Sequence, residues 1–338
     1  MDKSVNIIKN NIIRGFVMKN TKKILLSTLI ITILLVSLLL SGCGSNPALS
    51  KYPSRGIKMI VPFGAGGGSD QFARILEQEI ENNTELEITV VNIPGAKTAV
   101  GFEQFMGEDP DGYTVFCATT DSLINITQGL VEAKPEDIDV LVVPQLNVDM
   151  LFISSKDDRF SNFDEVVSYA KETNTELKVA TVGVDGSEFL TLSVIEEVTG
   201  IKFKIIPYSE PGERYAALAG KHVDILFEQP GDINSFLESK EYTSIISMSE
   251  ERLEAFPDVP SSVELGIDVT NGYWRSIWVK SEVPDDIKAT LSQLILDAVE
   301  TQAYQQYAHE KFLDLRQGYY EKDAVDKFIT SEYEIYNK

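Results

Sequence analysis

From Ile57 onward, short apolar runs of strand character alternate with amphipathic helical stretches roughly every 25 residues, and this alternation most limits how the chain can fold. Strands are expected at 57–62, 87–92 (EITVVN), 113–119, 151–155, 177–183 (LKVATVG), 202–208, 223–228 and 243–248. Helical patterns lie between them, as in SEFLTLSVIEEVTG and PGERYAALAG. The tail from Pro284 to Lys338 reads as mostly helical, with Ile287, Leu291, Leu294 and Ile295 on one face. Alternating β and α implies parallel sheets flanked by helices. The length fits two such lobes better than one.

The stretch VPFGAGGGSDQFAR, residues 61–74, sets a nearly side-chain-free loop between a strand and a helix. Phe72, Ile75, Leu76 and Ile80 recur at helical spacing, with Ser69 or Asp70 placed to cap the helix. Glycines let backbone N–H groups approach a ligand, and the helix start adds a positive dipole end. Such a loop is suited to binding an anion. In open parallel sheets, ligands sit beyond the carboxyl ends of the strands. Three more loops at such ends are IPGAKTAVG, TTDS and VDGSEF, each rich in glycine or hydroxyl residues. Any one of them needs no ligand to explain it; four together favour a binding cleft.

Residues 24–40 form an apolar run of 17, preceded by Lys19, Lys22 and Lys23 and followed by Leu40-Ser41-Gly42-Cys43. A basic region, an apolar region and small residues before a cysteine describe a targeting segment. This resembles a bacterial lipoprotein signal over 1–42, cut before Cys43, with lipid on its sulfur and 43–52 as a tether. Met18 opens MKNTKK, a more usual signal start. The alternative is a permanent N-terminal anchor.

The chain carries −22; the leader holds six basic residues and one acidic residue, so the remainder carries −27. That charge argues against nucleic acid or an anionic membrane surface as partner. Attraction of an anionic ligand must therefore be local. After Cys43 only Cys117 remains, inside the apolar run YTVFCAT, so no internal disulfide is available and a buried strand position is expected. His222 and His309 read as surface residues, and no Cys-x-x-Cys, metal-spaced histidine pair or Gly-x-Ser-x-Gly elbow occurs. No catalytic residue, metal or cofactor is expected, and the chain is not expected to be an enzyme.

Tyr52-Pro53 followed by IKMIVPFGAGGGSDQFAR, then Asn92-Ile93-Pro94-Gly95-Ala96 with Gly101, then Pro110-Asp111-Gly112-Tyr113-Thr114, resemble the substrate-binding receptors of tripartite tricarboxylate transporters, the Bug family. ATVGVDGS, IPYSEPGERYAALAGKHVD and FPDVPSSVELGIDV before an aromatic strand follow in the same order, so the resemblance spans about residues 52–315. It implies a two-lobed periplasmic-binding-protein (Venus flytrap) fold, each lobe a mainly parallel sheet flanked by helices. The lobes would comprise 53–147 with 262–338, and 148–261, joined by hinge crossings. The implied function is an extracytoplasmic, lipid-anchored, monomeric binding protein that hands a small carboxylate to membrane permease subunits. Carried onto this chain, the ligand-binding positions are Phe63, Ala65, Gly66, Gly67, Ser69 and Asp70 in the first loop and Thr119, Thr120 and Ser122 in the third. On the second lobe they are Gly183, Gly186 and Ser187, with Tyr208 nearby. Asp70 would repel a carboxylate and reads as a helix cap or a partner for water.

The chain departs from the family pattern in places. Glu188-Phe189-Leu190 follows the second-lobe serine where many relatives have a histidine, GAKTAVG introduces Lys97, and PYSEPGER adds Glu210, Glu213 and Arg214. Lys97 or Arg214 either neutralises a second carboxylate or is a solvated loop charge. Two other functions compete. The first is a nucleotide-dependent oxidoreductase, since Gly64-x-Gly66 imitates a dinucleotide fingerprint, but the second strand ends in Val91-Asn92 without the acidic residue that would hold a ribose. A ligand-sensing lipoprotein that feeds a membrane sensor kinase would have the same sequence features.

Overall fold

The computed structural model describes residues 52–270 and 272–337. The expected signal, the start at Met18 and the lipidation site Cys43 lie outside them. The described chain runs β1 (Ile57–Val61), α1 (Gly68–Asn83), β2 (Ile88–Asn92), α2 (Ala99–Met106), β3 (Thr114–Thr119), α3 (Thr120–Thr127) and β4 (Ile138–Leu146). It continues through β5 (Met150–Ser154), α4 (Phe163–Thr173), β6 (Leu177–Thr181), α5 (Ser187–Thr199), β7 (Phe203–Pro207), α6 (Pro211–Ala219), β8 (Ile225–Glu228), α7 (Asn234–Glu238) and β9 (Tyr242–Ser247). Strand β10 (Trp274–Lys280) and helices α8 (Asp285–Val299), α9 (Gln302–Glu310) and α10 (Lys322–Tyr336) complete it.

Local chemistry accounts for many of these boundaries. Helix α1 repeats Phe72, Leu76 and Ile80 four residues apart, and all three are buried. The Asn162 side chain accepts the Glu165 N–H at 3.0 Å and caps α4, and Thr301 does the same for Tyr304 at 3.1 Å ahead of α9. Helix α5 ends at Gly200, whose φ of 73° is the left-handed geometry that glycine tolerates best.

The strands form two five-stranded sheets, ordered β2-β1-β3-β10-β4 and β7-β6-β8-β5-β9. In the first sheet β1 pairs in parallel with β2 and β3, while β10 runs antiparallel to β3 and β4. The second repeats the pattern, with β6 parallel to β7 and β8, and β5 antiparallel to β8 and β9. Each sheet therefore holds one reversed strand in fourth place. That strand is the first element after the chain enters from the other sheet, β5 after β4 and β10 after β9. The sheets are mixed rather than wholly parallel because each is completed by this visiting strand.

Two sequence expectations need correction. Strand β4, which contains Pro144, is absent from the strands expected from the sequence. It tolerates the proline at the sheet edge, where no ladder hydrogen bond is required of it. The neighbouring Val143 pairs instead with Tyr319, with both N–H···O distances 2.8 Å. At α1, Gly67 stands at the N-cap, and Ser69 and Asp70 lie inside the first turn.

The first lobe buries an aromatic core in which the Phe105 and Phe116 rings stack at 5.2 Å and Phe102 meets Phe116 edge-on at 5.6 Å. Each such side chain contributes on the order of 1.5–3 kcal/mol by leaving water. Helix α10 closes this core through Val325 and Tyr336. Cys117 lies in the same sheet, fully buried, and burial pushes its thiol up to about 12. In the second lobe, Leu151, Val179, Ile195, Ile225 and Phe227 pack under α4 and α5, and Phe152, Leu218 and Leu226 pack on the opposite face.

Candidate functional site

The lobes meet along the carboxyl ends of their parallel strands. Phe63 and Gly67 follow β1, Asp121 follows β3, Val182 follows β6, Ser209 follows β7 and Gln229 follows β8; all of them line one cavity. Tyr273 and Arg275, at the start of β10, complete the wall. Its volume is about 40 Å³, far below the ~300–1,000 Å³ usual for a ligand site. The lobes are closed on one another.

The glycine loop is held by its own lobe. Gly66 has φ +83°, the left-handed geometry that glycine accepts without strain. Its N–H donates to Asp70 Oδ2 at 2.8 Å, and Asn92 Nδ2 donates to Asp70 Oδ1 at 3.0 Å and to the Phe63 carbonyl at 3.1 Å. Arg74 pairs with Asp70 at 3.2 Å. Asp70 is thus a buried brace for the loop. The first N–H groups of a helix have no intrahelical acceptor, and here Gly68 and Ser69 line the cavity. Closure requires the glycines: a methyl at Gly67 would lie 2.7 Å from Pro211 Cγ of the other lobe.

At the end of β3 the hydroxyls have partners inside the wall. Ser122 Oγ accepts the Thr119 N–H at 3.2 Å, Thr120 Oγ1 accepts the Trp274 N–H at 3.1 Å, and Thr119 Oγ1 lies 2.9 Å from Tyr273 Oη. Asp121 faces the cavity instead. Tyr273 Oη is 3.2 Å from its Oδ2, and across the cleft Ser187 approaches its Oδ1 through N at 3.3 Å and Oγ at 3.4 Å. Burial pushes the Asp121 carboxyl above the usual carboxylate range, opposed by Lys97 and by these donors.

On the second lobe Glu188 Oε2 accepts the Val182 N–H at 2.8 Å, and burial drives this carboxyl well upward against the pull of Arg214. Arg214 pairs with Glu228 at 2.5 Å within the lobe. Two ion pairs cross the cleft, Arg275 with Asp232 and Lys97 with Asp185, each at 2.5 Å. Arg275 also donates to Gln229 Oε1 at 3.2 Å and to Ser69 Oγ at 3.3 Å.

Of the residues singled out in the sequence, Phe63, Gly67 and Ser69 line the cavity. Ala65 and Gly66 are exposed on the loop, and Asp70, Thr119, Thr120 and Ser122 stand buried behind the wall. Gly183 and Gly186 pack on the Lys97 side chain, and Ser187 meets Asp121. Tyr208 is half-buried, and its carbonyl accepts Arg214 Nη1 at 3.4 Å. Arg214, left open between ligand contact and solvated charge, is buried in the wall; Lys97 is buried in its ion pair. Sequence reading missed Asp121, Gln229, Asp232, Tyr273 and Arg275, and noted Glu188 only as a departure. Arg275 had a readable signal, a charge between aromatic residues in WRSIW. Among the described residues, no cluster of His, Cys, Asp or Glu is arranged to hold a metal ion, and no helix is long and apolar enough to cross a membrane.

The profile of the tripartite tricarboxylate transporter family receptor matches residues 72–335. A UPF0065 protein of Bordetella pertussis is 24% identical over 268 residues, covering 78% of this chain and 83% of the relative. MatC from Rhodopseudomonas palustris with bound malate superposes with a TM-score of 0.75 at 18% identity, covering 85% of this chain and 99% of that one. A TctC solute binding protein from Polaromonas superposes with a TM-score of 0.61 at 25% identity, covering 85% and 98%.

Proposed function

The chain belongs to the tripartite tricarboxylate transporter receptor family, and from that premise we propose that it captures a small organic carboxylate outside the cytoplasm and delivers it to the membrane subunits of such a transporter. The observation that carries this reading is the glycine loop at the start of α1, whose Gly67, Gly68 and Ser69 line the interlobe cavity beside Arg275. A helix terminus contributes ~0.3–1 kcal/mol when exposed and up to ~2 when partly buried. Charge-assisted hydrogen bonds add ~1.5–3 kcal/mol each. Micromolar affinity needs about 8 kcal/mol, so both walls must contribute. The malate held by the Rhodopseudomonas protein fits this class of guest.

Opening and closing would turn on the two crossings, 147–149 and 248–273, where Asn147 N and Nδ2 donate to the Tyr273 carbonyl at 2.8 and 2.9 Å. On this reading 53–147 with 262–338 move against 148–261. Residues 1–42 serve as a signal, and lipid on Cys43 anchors a monomer to the membrane. Two measurements test the proposal. Mass spectrometry of molecules that copurify, followed by a thermal-shift panel of carboxylates, should identify a ligand that adds ~2.7 kcal/mol at a hundredfold excess over Kd. Fatty-acid label should disappear in Cys43→Ser; label retained there rules out the anchor.

A further inference from the structure

The charges on the cavity wall are not those of a site for a plain dicarboxylate. Asp121, Glu188, Glu228, Asp232, Arg214 and Arg275 all line it. Each guanidinium already has a carboxylate of its own, Glu228 for Arg214 and Asp232 for Arg275. The nearby ammonium of Lys97 pairs with Asp185 and also faces Asp121, the ammonium and Asp121 Oδ1 each lying 2.6 Å from a methyl built on Gly186. Asp121 and Glu188 remain, 3% and 7% exposed. They accept hydrogen bonds from Ser187, Tyr273 and Val182, but neither forms an ion pair among the described residues. Separately, Arg214, 5% exposed in the same wall, has its Nε buried with no hydrogen-bond acceptor.

We propose that the guest is a zwitterion, with its carboxylate taken by the glycine-loop wall and the Arg214 guanidinium and its ammonium taken by Glu188 and Asp121. This rests on the carboxylate reading above and narrows it. The physical argument is one of desolvation. A closed cleft keeps water from the wall, and a buried charge is tolerated when it is paired. Closing on a guest with two carboxylates and no cation adds two negative groups to a wall in which Asp121 and Glu188 already have no ion pair. The wall carboxyls must then take up protons for that guest to stay. An ammonium removes the conflict by giving Asp121 and Glu188 an ion-pair partner. Discrimination follows from the penalty on the wrong guest as much as from contacts with the right one. Glu188 gives the ammonium its acceptor from the second lobe and Asp121 from the first, so the cation is gripped only when the lobes are closed.

Titration calorimetry with matched pairs tests this: L-aspartate against succinate, L-glutamate against glutarate, and 4-aminobutyrate against butyrate. In at least one pair the amine-bearing member should bind a hundredfold or more tightly than its twin. Glu188→Gln keeps an acceptor for the Val182 N–H and removes the charge. It should weaken the amine-bearing member at least tenfold while leaving the twin unchanged or tighter. Asp121→Asn should act in the same direction, and circular dichroism establishes that each variant folds. If the amine-free twins bind as tightly as their partners, or if both variants weaken the two members of a pair equally, the zwitterion is wrong and the carboxylate reading stands. If no member of any pair binds, the zwitterion is overturned, and the copurified ligand and the carboxylate panel decide the carboxylate reading.

Discussion

The guanidinium of Arg275, on the reversed strand of the first sheet, lies 2.5 Å from the carboxylate of Asp232 in the second lobe, and both side chains are buried. A methyl built on Gly68 would come within 2.4 Å of the Asp232 carboxyl carbon. The second lobe thus places a carboxylate of its own beside the N-terminus of α1, where a helix best stabilises an anion.

Removing one partner of a buried pair costs about 3–5 kcal/mol when the other stays buried. Here the survivor is hydrated once the cleft opens, so the loss should appear as opening rather than unfolding. Asp232→Asn is expected to raise the radius of gyration in small-angle scattering with little change in melting temperature. An unchanged radius would show that other contacts hold the lobes together.

Gly67 has φ −80°, a geometry open to any residue, and the tightest neighbour of an added methyl is Pro211 across the cleft. Gly67→Ala should therefore keep its thermal stability and lose tenfold or more in ligand affinity. Gly67→Asp, which adds a fixed negative charge, should abolish carboxylate binding. Calorimetry with circular dichroism as control decides both, and a folded Gly67→Asp protein that binds like the parent places the ligand elsewhere.

Burial pushes the Asp149 carboxyl up to about 7, although Gln229 Nε2 donates to it at 2.7 Å. The folded state then holds a proton that the unfolded chain releases, so stability is greatest below the unfolded value and falls as pH rises through about 7. Glu332, outside the cleft, shifts in the same direction. Denaturant unfolding should show the protein gaining stability as pH is lowered from about 8 to about 5. Asp149→Asn should flatten the slope and add up to a few kcal/mol near pH 8. A curve that falls steadily on acidification contradicts this.

Trp274 Nε1 donates to Glu332 Oε2 at 2.7 Å and ties α10 to β10 inside the first lobe. Glu332→Ala should cost about 1–3 kcal/mol, because the buried indole N–H loses its acceptor. Glu332→Gln, which keeps a carbonyl there, should cost less. Equal losses in the two variants would assign the effect to packing.

The alternation of strand and helix, the two-lobed class and the glycine loop were all legible in the sequence, because periodicity and backbone freedom are properties of neighbouring residues. Strand β4 went unread, and its tolerance of Pro144 depends on the strand lying at a sheet edge. The hydroxyls of Thr119, Thr120 and Ser122 read as ligand donors; they face inward because β10 lies beside β3 in the register that sets Arg275 opposite Thr119. Asp121, Glu188, Asp232 and Arg275 are far apart along the chain and share one cavity wall. The sequence by itself determined which segments become strands, helices and tight loops, since those preferences act over a few residues. Only the tertiary structure decided which charges are buried, which are paired and which are left facing a guest. Those outcomes depend on the exchange of β5 and β10 between the sheets and on closure of one lobe over the other, and a charge has no local pattern that reveals its partner across a cleft.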